Sequence, residues 1–296
     1  MKVFLAVSLL GILWFAEAGV LTSSTWAVLV AGSNGFWNYR HQADICHAYH
    51  SLIAKGVHPD RIIVMMYDDI ANDPENTTPG KIFNRPNGTD VYEGVKIDYR
   101  GDDVSVDNFE NVLLGKKDAV KGKGTGRVLE SGPNDLVFLN FADHGGENVL
   151  AFPNELLSAD RLSKILEGMR QAKKYGQMVL FIEACEAGSM FDSRLGHYDN
   201  ILVSTASAPD ESSYGWYCDD GTCLGDLYSI TWMERLDKLN FSESLFENYD
   251  AVRTETLQKS HVNLYGDYRL GFLQFGKYGT NNKLAATVEE EIRFKD

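Results

Sequence analysis

The chain has 296 residues, with 42 acidic against 28 basic side chains and a formal net charge of -14. An acidic surface of this kind repels phosphate backbones and anionic bilayers, which excludes nucleic acid and membrane surfaces as partners and suits an acidic compartment where carboxylates are partly neutralised. Four cysteines are too few for a disulfide-built fold, and the length fits one large domain or two smaller ones.

Residues 1–18 read as a secretory signal. Lys2 precedes an apolar run from Val3 to Ala16, and Ala16-Glu17-Ala18 is a small-x-small cleavage site. The run is shorter than a membrane anchor needs, and no other stretch is long enough to insert stably in a bilayer. Trp26 to Ala31 is a buried-strand pattern ending in Gly32-Ser33-Asn34-Gly35. Those glycines lack the dinucleotide spacing, so no cofactor is implied. A helix follows, with Ile45, Ala48, Tyr49, Leu52 and Ile53 forming one stripe and Gly56 ending it. Cys46, His47 and His50 on that helix have metal-compatible spacing but no clustered companions. They read as a solvated face and a small buried thiol, with no metal.

Arg61 to Tyr67 is another strand, followed by Asp68-Asp69, and the stretch from Ile70 to Asn108 is loop-rich. It contains Arg100-Gly101-Asp102, an integrin-type tripeptide too short to carry a function by itself. Asn76, Asn87 and Asn240 head Asn-x-Ser/Thr sequons, which would place those segments on the surface if glycosylated.

Asp135 to Ala142 is a strand that ends in Asp143-His144-Gly145-Gly146. Leu162, Ile165, Leu166 and Met169 then mark a helix capped by Ser158 and stopped at Gly176. Met178 to Ile182 is a nearly all-apolar strand, after which Glu183, Cys185 and Glu186 arrive where it ends. Carboxyl ends of parallel strands are where ligands bind in open α/β sheets, and a histidine upstream of a cysteine on neighbouring strands is a protease arrangement. Val149 to Phe152 and Ile201 to Ser207 are further strands. Cys218 and Cys223 flank a turn-like segment and either bridge or stand as exposed thiols; a secreted chain favours the bridge. Helical stretches run from Ile230 to Leu236 and from Leu245 to Leu257. The expectation is one α/β domain, a mostly parallel sheet with helices on both faces.

Val30 to Gly35, Asn38-Tyr39-Arg40-His41-Gln42-Ala43-Asp44, Met65 to Ile70, Asn84 to Tyr92, Asp143-His144-Gly145, Glu183-Ala184-Cys185-Glu186 and Glu211-Ser212-Ser213-Tyr214 follow one another from about Trp26 to about Gly271. In order and spacing these segments resemble the legumains, the asparaginyl endopeptidases. The resemblance implies a caspase-like fold, with residues 19–280 as the peptidase domain, and cysteine endopeptidase activity after asparagine, after aspartate in acid, with a peptide-ligase side activity.

It implies Cys185 as nucleophile, His144 as general base and acid, and Asn38 as the histidine's partner. The amides of Gly145 and Cys185 are the natural oxyanion donors. The specificity pocket falls on Arg40, His41, Glu183, Ser213 and Asp226, a cation and carboxylates suited to an amide side chain that both accepts and donates. Asp143 matches a position that cyclises to a succinimide. The implied partners are protein and peptide substrates and cystatin-type inhibitors, in a lysosomal, endosomal or secreted setting. Family members usually carry a long C-terminal prodomain, whereas here residues 281–296 look like a stub: either the sequence is truncated, or the enzyme is made without its cap, in which case it is expected to be poorly stable near neutral pH and not autoinhibited. Two alternatives stand beside this reading: a lipid-anchor transamidase subunit of similar layout, and a non-catalytic binding protein of the same fold.

Overall fold

A computed structural model describes residues 24–192, 194, 199–238 and 243–274. The expected signal segment, the sequon at Asn240 and the C-terminal stub lie outside these residues. In chain order the elements are β1 (Thr25–Ala31), α1 (Tyr39–Ala54), β2 (Ile62–Met65), α2 (Val106–Leu113), β3 (Leu136–Ala142), β4 (Gly145–Gly146), β5 (Val149–Phe152) and β6 (Glu155–Ser158). There follow α3 (Ala159–Gln171), β7 (Gln177–Glu183), β8 (Ile201–Thr205), β9 (Gly215–Asp219), β10 (Thr222–Asp226), α4 (Leu227–Lys238), α5 (Leu245–Thr256) and β11 (Asn263–Gly266).

Strands rich in Val, Ile, Leu and Phe with no polar alternation cannot leave either face in water, so they collect in the middle of a layered sandwich. The main sheet has six strands in the order β11-β8-β7-β3-β1-β2, with β11 antiparallel and the rest parallel. Period-two alternation divides its side chains. Ala27, Leu29 and Phe138 face the layer of α1, α4 and α5, where Trp232 packs edge-on against Phe138 and Phe181. Val28, Val30, Val137 and Leu139 face the layer of α2 and α3. Asn140 is the polar exception on a central strand, and it is satisfied by donating to Phe181 O at 3.1 Å.

The expected strands and helices are present with ends shifted by a few residues. The helix capped by Ser158, whose hydroxyl accepts from Arg161 N–H, ends at Gln171 and not at Gly176. Lys173 takes the left-handed turn there, with φ 52°, and Gly176 serves instead as a close contact, where a Cβ would meet Pro133 O at 2.7 Å. The loop-rich reading of 70–108 is corrected at its end by α2, whose first turn is capped by Ser105. Cys218 and Cys223 form a disulfide across the β9–β10 hairpin, on directly paired residues.

Candidate active site

Register decides what meets at the carboxyl end of the sheet. Ala142 on β3 is level with Glu183 on β7, so Asp143-His144 and Ala184-Cys185 leave adjacent strands side by side. Asp143 N–H still donates to Glu183 O at 3.1 Å. The two loops then press together at Gly145, where a Cβ would lie 2.3 Å from Cys185 O; only glycine permits that approach. Ala151 N–H donates to His144 O. By the alternation of an antiparallel ladder, the Gly145 amide then turns away from β5. After Cys185 the chain reverses through Glu186, a non-glycine residue at φ 53°, pinned by its N–H donating to Glu211 O at 2.7 Å. Cys185 is half-buried, and its sulfur lies 3.7 Å from Ser213 O and 4.0 Å from Ser213 Oγ.

Asn38 fixes the tautomer of His144. Its Nδ2 donates to Asn34 O at 2.9 Å, which leaves Oδ1 to face His144 Nε2 at 2.8 Å. An amide oxygen only accepts, so Nε2 carries the proton and Nδ1 keeps its lone pair. Desolvation lowers the His144 pKa from its ordinary value, with the Asp143 charge opposing and the Arg40 charge assisting. The shift favours the neutral ring, the form that can act as a base.

Beneath these loops is a buried polar cluster supplied by α1, β7 and β10. Arg40 Nε donates to Asp226 Oδ1 at 2.9 Å, and His41 Nε2 is 3.6 Å from Asp226 Oδ2. Glu183 Oε2 accepts from Ser229 N–H and Ser229 Oγ at 3.0 and 3.1 Å. Two carboxylate oxygens of this cluster, Glu183 Oε1 and Asp226 Oδ2, are buried without a hydrogen bond, as is Asp143 Oδ1 beside His41. Burial, then the Asp226 charge, pushes Glu183 up to about 8. Hydrogen bonding by Ser213 and Ser229 works against that rise.

His41 is fully enclosed, and burial lowers it to about 3, so its approaches to Asp143 and Asp226 are contacts of a neutral ring rather than ion pairs. Its Nδ1 is 2.6 Å from Ser33 Oγ and 3.1 Å from Asp143 Oδ1. Asp143 itself is pushed up to about 7 by burial, against the hydrogen bonds it receives from His144 N–H and Ser33.

Every expected catalytic and pocket residue thus falls in one region. The structure also brings in Ser33, Ser229 and Asp44, which the linear reading did not single out. Ligand atoms of His41, Asp143 and His144 lie within 4.8 Å of one another, a grouping no sequence spacing announces. His47, read as a solvated helix residue, instead bridges Asn84 Oδ1 at 2.6 Å and Asp237 Oδ2 at 2.8 Å.

The sequon at Asn76 is corrected as a glycan site. Asn76 is buried, its Nδ2 donating to the carbonyls of Ile70, Ala71 and Lys81 and its Oδ1 accepting from Thr78. A glycosylated amide could not keep those donors. Asn87 is exposed. Arg100 of the integrin-type tripeptide donates to Asp68 Oδ2 at 2.6 Å. No helix among the described residues is long and apolar enough to cross a membrane.

Comparison with known proteins adds independent observations. Residues 25–280 match the peptidase C13 family. Legumain of Mus musculus is 52% identical over 245 residues, 82% of this chain and 56% of that protein. Hemoglobinase of Schistosoma japonicum is 46% identical over 285 residues, 95% and 66% of the two chains. Vacuolar-processing enzyme of Citrus sinensis is 46% identical over 287 residues, 90% and 58% respectively. The chain spans a little over half to about two thirds of the length of these curated relatives. Among solved structures, caspase-1 from Spodoptera frugiperda superposes with a TM-score of 0.52 at 10% identity, covering 83% of this chain and 87% of that one, a likeness of fold alone.

Proposed function

The chain belongs to the peptidase C13 family, and from that premise we propose that it is a cysteine endopeptidase cleaving on the carboxyl side of asparagine. The observation that carries the reading is the buried cluster of Arg40, Asp226 and Glu183 beside the Cys185 and His144 loops, with two carboxylate oxygens free to pair. An asparagine side chain offers one acceptor and two N–H donors. The guanidinium of Arg40 donates to the amide oxygen, and Asp226 Oδ2 accepts from the amide nitrogen. Glu183, protonated below about pH 8, supplies a further donor. An aspartate side chain matches the same set only when protonated, so its cleavage is confined to acid.

The chemistry follows from the tautomer. His144 Nδ1 takes the Cys185 thiol proton, and the thiolate adds to the scissile carbonyl while the Gly145 and Cys185 amides stabilise the oxyanion. Collapse breaks the C–N bond, the imidazolium gives its proton to the leaving amine, and a thioester remains. Water, deprotonated by His144, then releases the acid and restores the thiol. A peptide amine entering in place of water gives a new peptide bond, the ligase outcome.

Asp143 is suited to cyclise: its carboxyl stays protonated to about pH 7 and His144 N–H points at it. Attack of that nitrogen on the carboxyl carbon expels water and gives a succinimide, read as a mass lower by one water. The acidic surface and these raised carboxyls favour an acidic compartment of the secretory pathway. Peptides and proteins are the substrates, and cystatin-type proteins are proposed inhibitors.

The test is hydrolysis of fluorogenic peptides ending in Asn, Asp or Ala from pH 4 to 7, with Cys185→Ala as control. Asn cleavage that vanishes in the variant is expected. Equal turnover of the Ala peptide would remove the pocket from the reading.

A further inference from the structure

Asp44 lies one helical turn beyond Arg40 on α1, and no part of it is exposed. Its Oδ2 accepts from Asp226 N–H at 3.0 Å, and its Oδ1 accepts from Asn84 Nδ2 at 2.7 Å. The same Asn84 nitrogen donates to Leu224 O at 2.9 Å. Both ends of the Leu224-Gly225-Asp226 segment are therefore tied to one buried side-chain pair. The segment passes so close that a Cβ on Gly225 would sit 2.5 Å from Asn84 Nδ2 and 2.6 Å from Asp44 Oδ1.

A buried acid is costly, and an apolar residue would serve the helix better if packing were the only demand. What the acid offers here is two oxygens that each accept from an N–H donor, and the proton that burial keeps on it leaves the hydroxyl oxygen a lone pair for that role; an asparagine would turn its own N–H₂ toward one of the donors. One donor, Asp226 N–H, belongs to the strand end that delivers Asp226 to the pocket, and the other, Asn84 Nδ2, is itself tied to that strand at Leu224 O.

We infer that Asp44, with Asn84, is a specificity-positioning residue: it fixes the end of β10 so that one Asp226 oxygen stays on Arg40 and the other faces the P1 side chain. This rests on the asparagine-pocket reading above. Asp44 touches neither Cys185 nor His144 through any hydrogen bond among the described residues, so its effect belongs to substrate recognition and not to the thiol chemistry.

The experiment compares wild type, Asp44→Asn and Asn84→Ala in two assays. One measures kcat and KM on the Asn peptide; the other measures the rate of Cys185 alkylation by iodoacetamide, which needs the nucleophile but no P1 side chain. The expected result for Asp44→Asn is a kcat/KM at least tenfold lower, carried mainly by KM, with alkylation within twofold of wild type. Asn84→Ala should show a smaller loss of the same kind. A kcat/KM within twofold of wild type in Asp44→Asn overturns the inference, as does a parallel fall in alkylation, which would mean general damage. If Asp44→Asn does not fold, an unchanged KM in Asn84→Ala overturns it instead. A wild-type protein whose Cys185 alkylates normally but which ignores the Asn peptide would bring down the pocket reading, and this inference with it.

Discussion

At the scale of single residues, the clearest role is that of Asn38, because one hydrogen bond decides which imidazole nitrogen is basic. In Asn38→Ala, Nε2–H loses its acceptor, and both the tautomer and the ring plane are freed. We expect kcat to fall roughly 10- to 100-fold, below the 10²–10⁴ attached to losing the base itself, with KM little changed; steady-state kinetics on the Asn peptide checks this. Asn76 gives the opposite lesson. Asn76→Gln should lower stability by about 1–3 kcal/mol through stranded buried groups, measured by urea unfolding. Secreted from a glycosylating host, it should show no change in gel mobility, whereas Asn87→Gln should. Three-residue rules see neighbours in sequence and not burial, which is why Asn76 was misread. Asp44 was passed over for the same reason: its partners lie 40 and 182 positions away.

At the scale of elements, the strand-end loops are set by register, and register can be disturbed at one atom. Gly145→Ala would drive a Cβ against Cys185 O, with Ala184 Cβ behind it at 2.9 Å. Backbone cannot yield as a flexible side chain would, so the two loops must separate, and the proposed oxyanion donors with them. Activity should fall by 10² or more, the scale of losing one such donor, while far-UV circular dichroism keeps the signature of the six-stranded sheet. The parallel strands were legible because both faces are buried and their apolar runs are unbroken. Elements such as β6 and β11 were not. Three of the four β6 residues are exposed, and the β11 positions are all half-buried, so neither carries a hydrophobic signal. Their existence depends on partners, β5 and β8, that only the fold supplies.

At the scale of the whole molecule, the buried acids make stability a function of pH, and the direction follows from proton linkage. Asp143 and Glu183 titrate at about 7 and about 8 when folded, and Asp44 is also raised, by burial and then by the Asp226 charge. All three would titrate near 4 in the unfolded chain. The folded state thus holds more protons between those values. Its stabilisation is complete near pH 4 and drains as pH rises through 7 and 8. His41 acts the other way, since burial keeps it neutral down to about 3 while the unfolded ring charges near 6.5. Three acids outweigh one base, so the net gradient still favours acid. Below about 4 the sign reverses, because Asp237, Glu211 and Asp267 are lowered by the hydrogen bonds they receive and lose them on protonation. Chemical unfolding should therefore show an optimum near pH 4.5–5.5 and a loss on the order of 2 kcal/mol or more by pH 7.5. Glu183→Gln, which cannot ionise, should flatten the neutral limb of that curve. A stability that climbs steadily to pH 8 would mean that these carboxyls are ionised and paired in the folded protein, and that the pocket beneath Cys185 is built on a different charge balance.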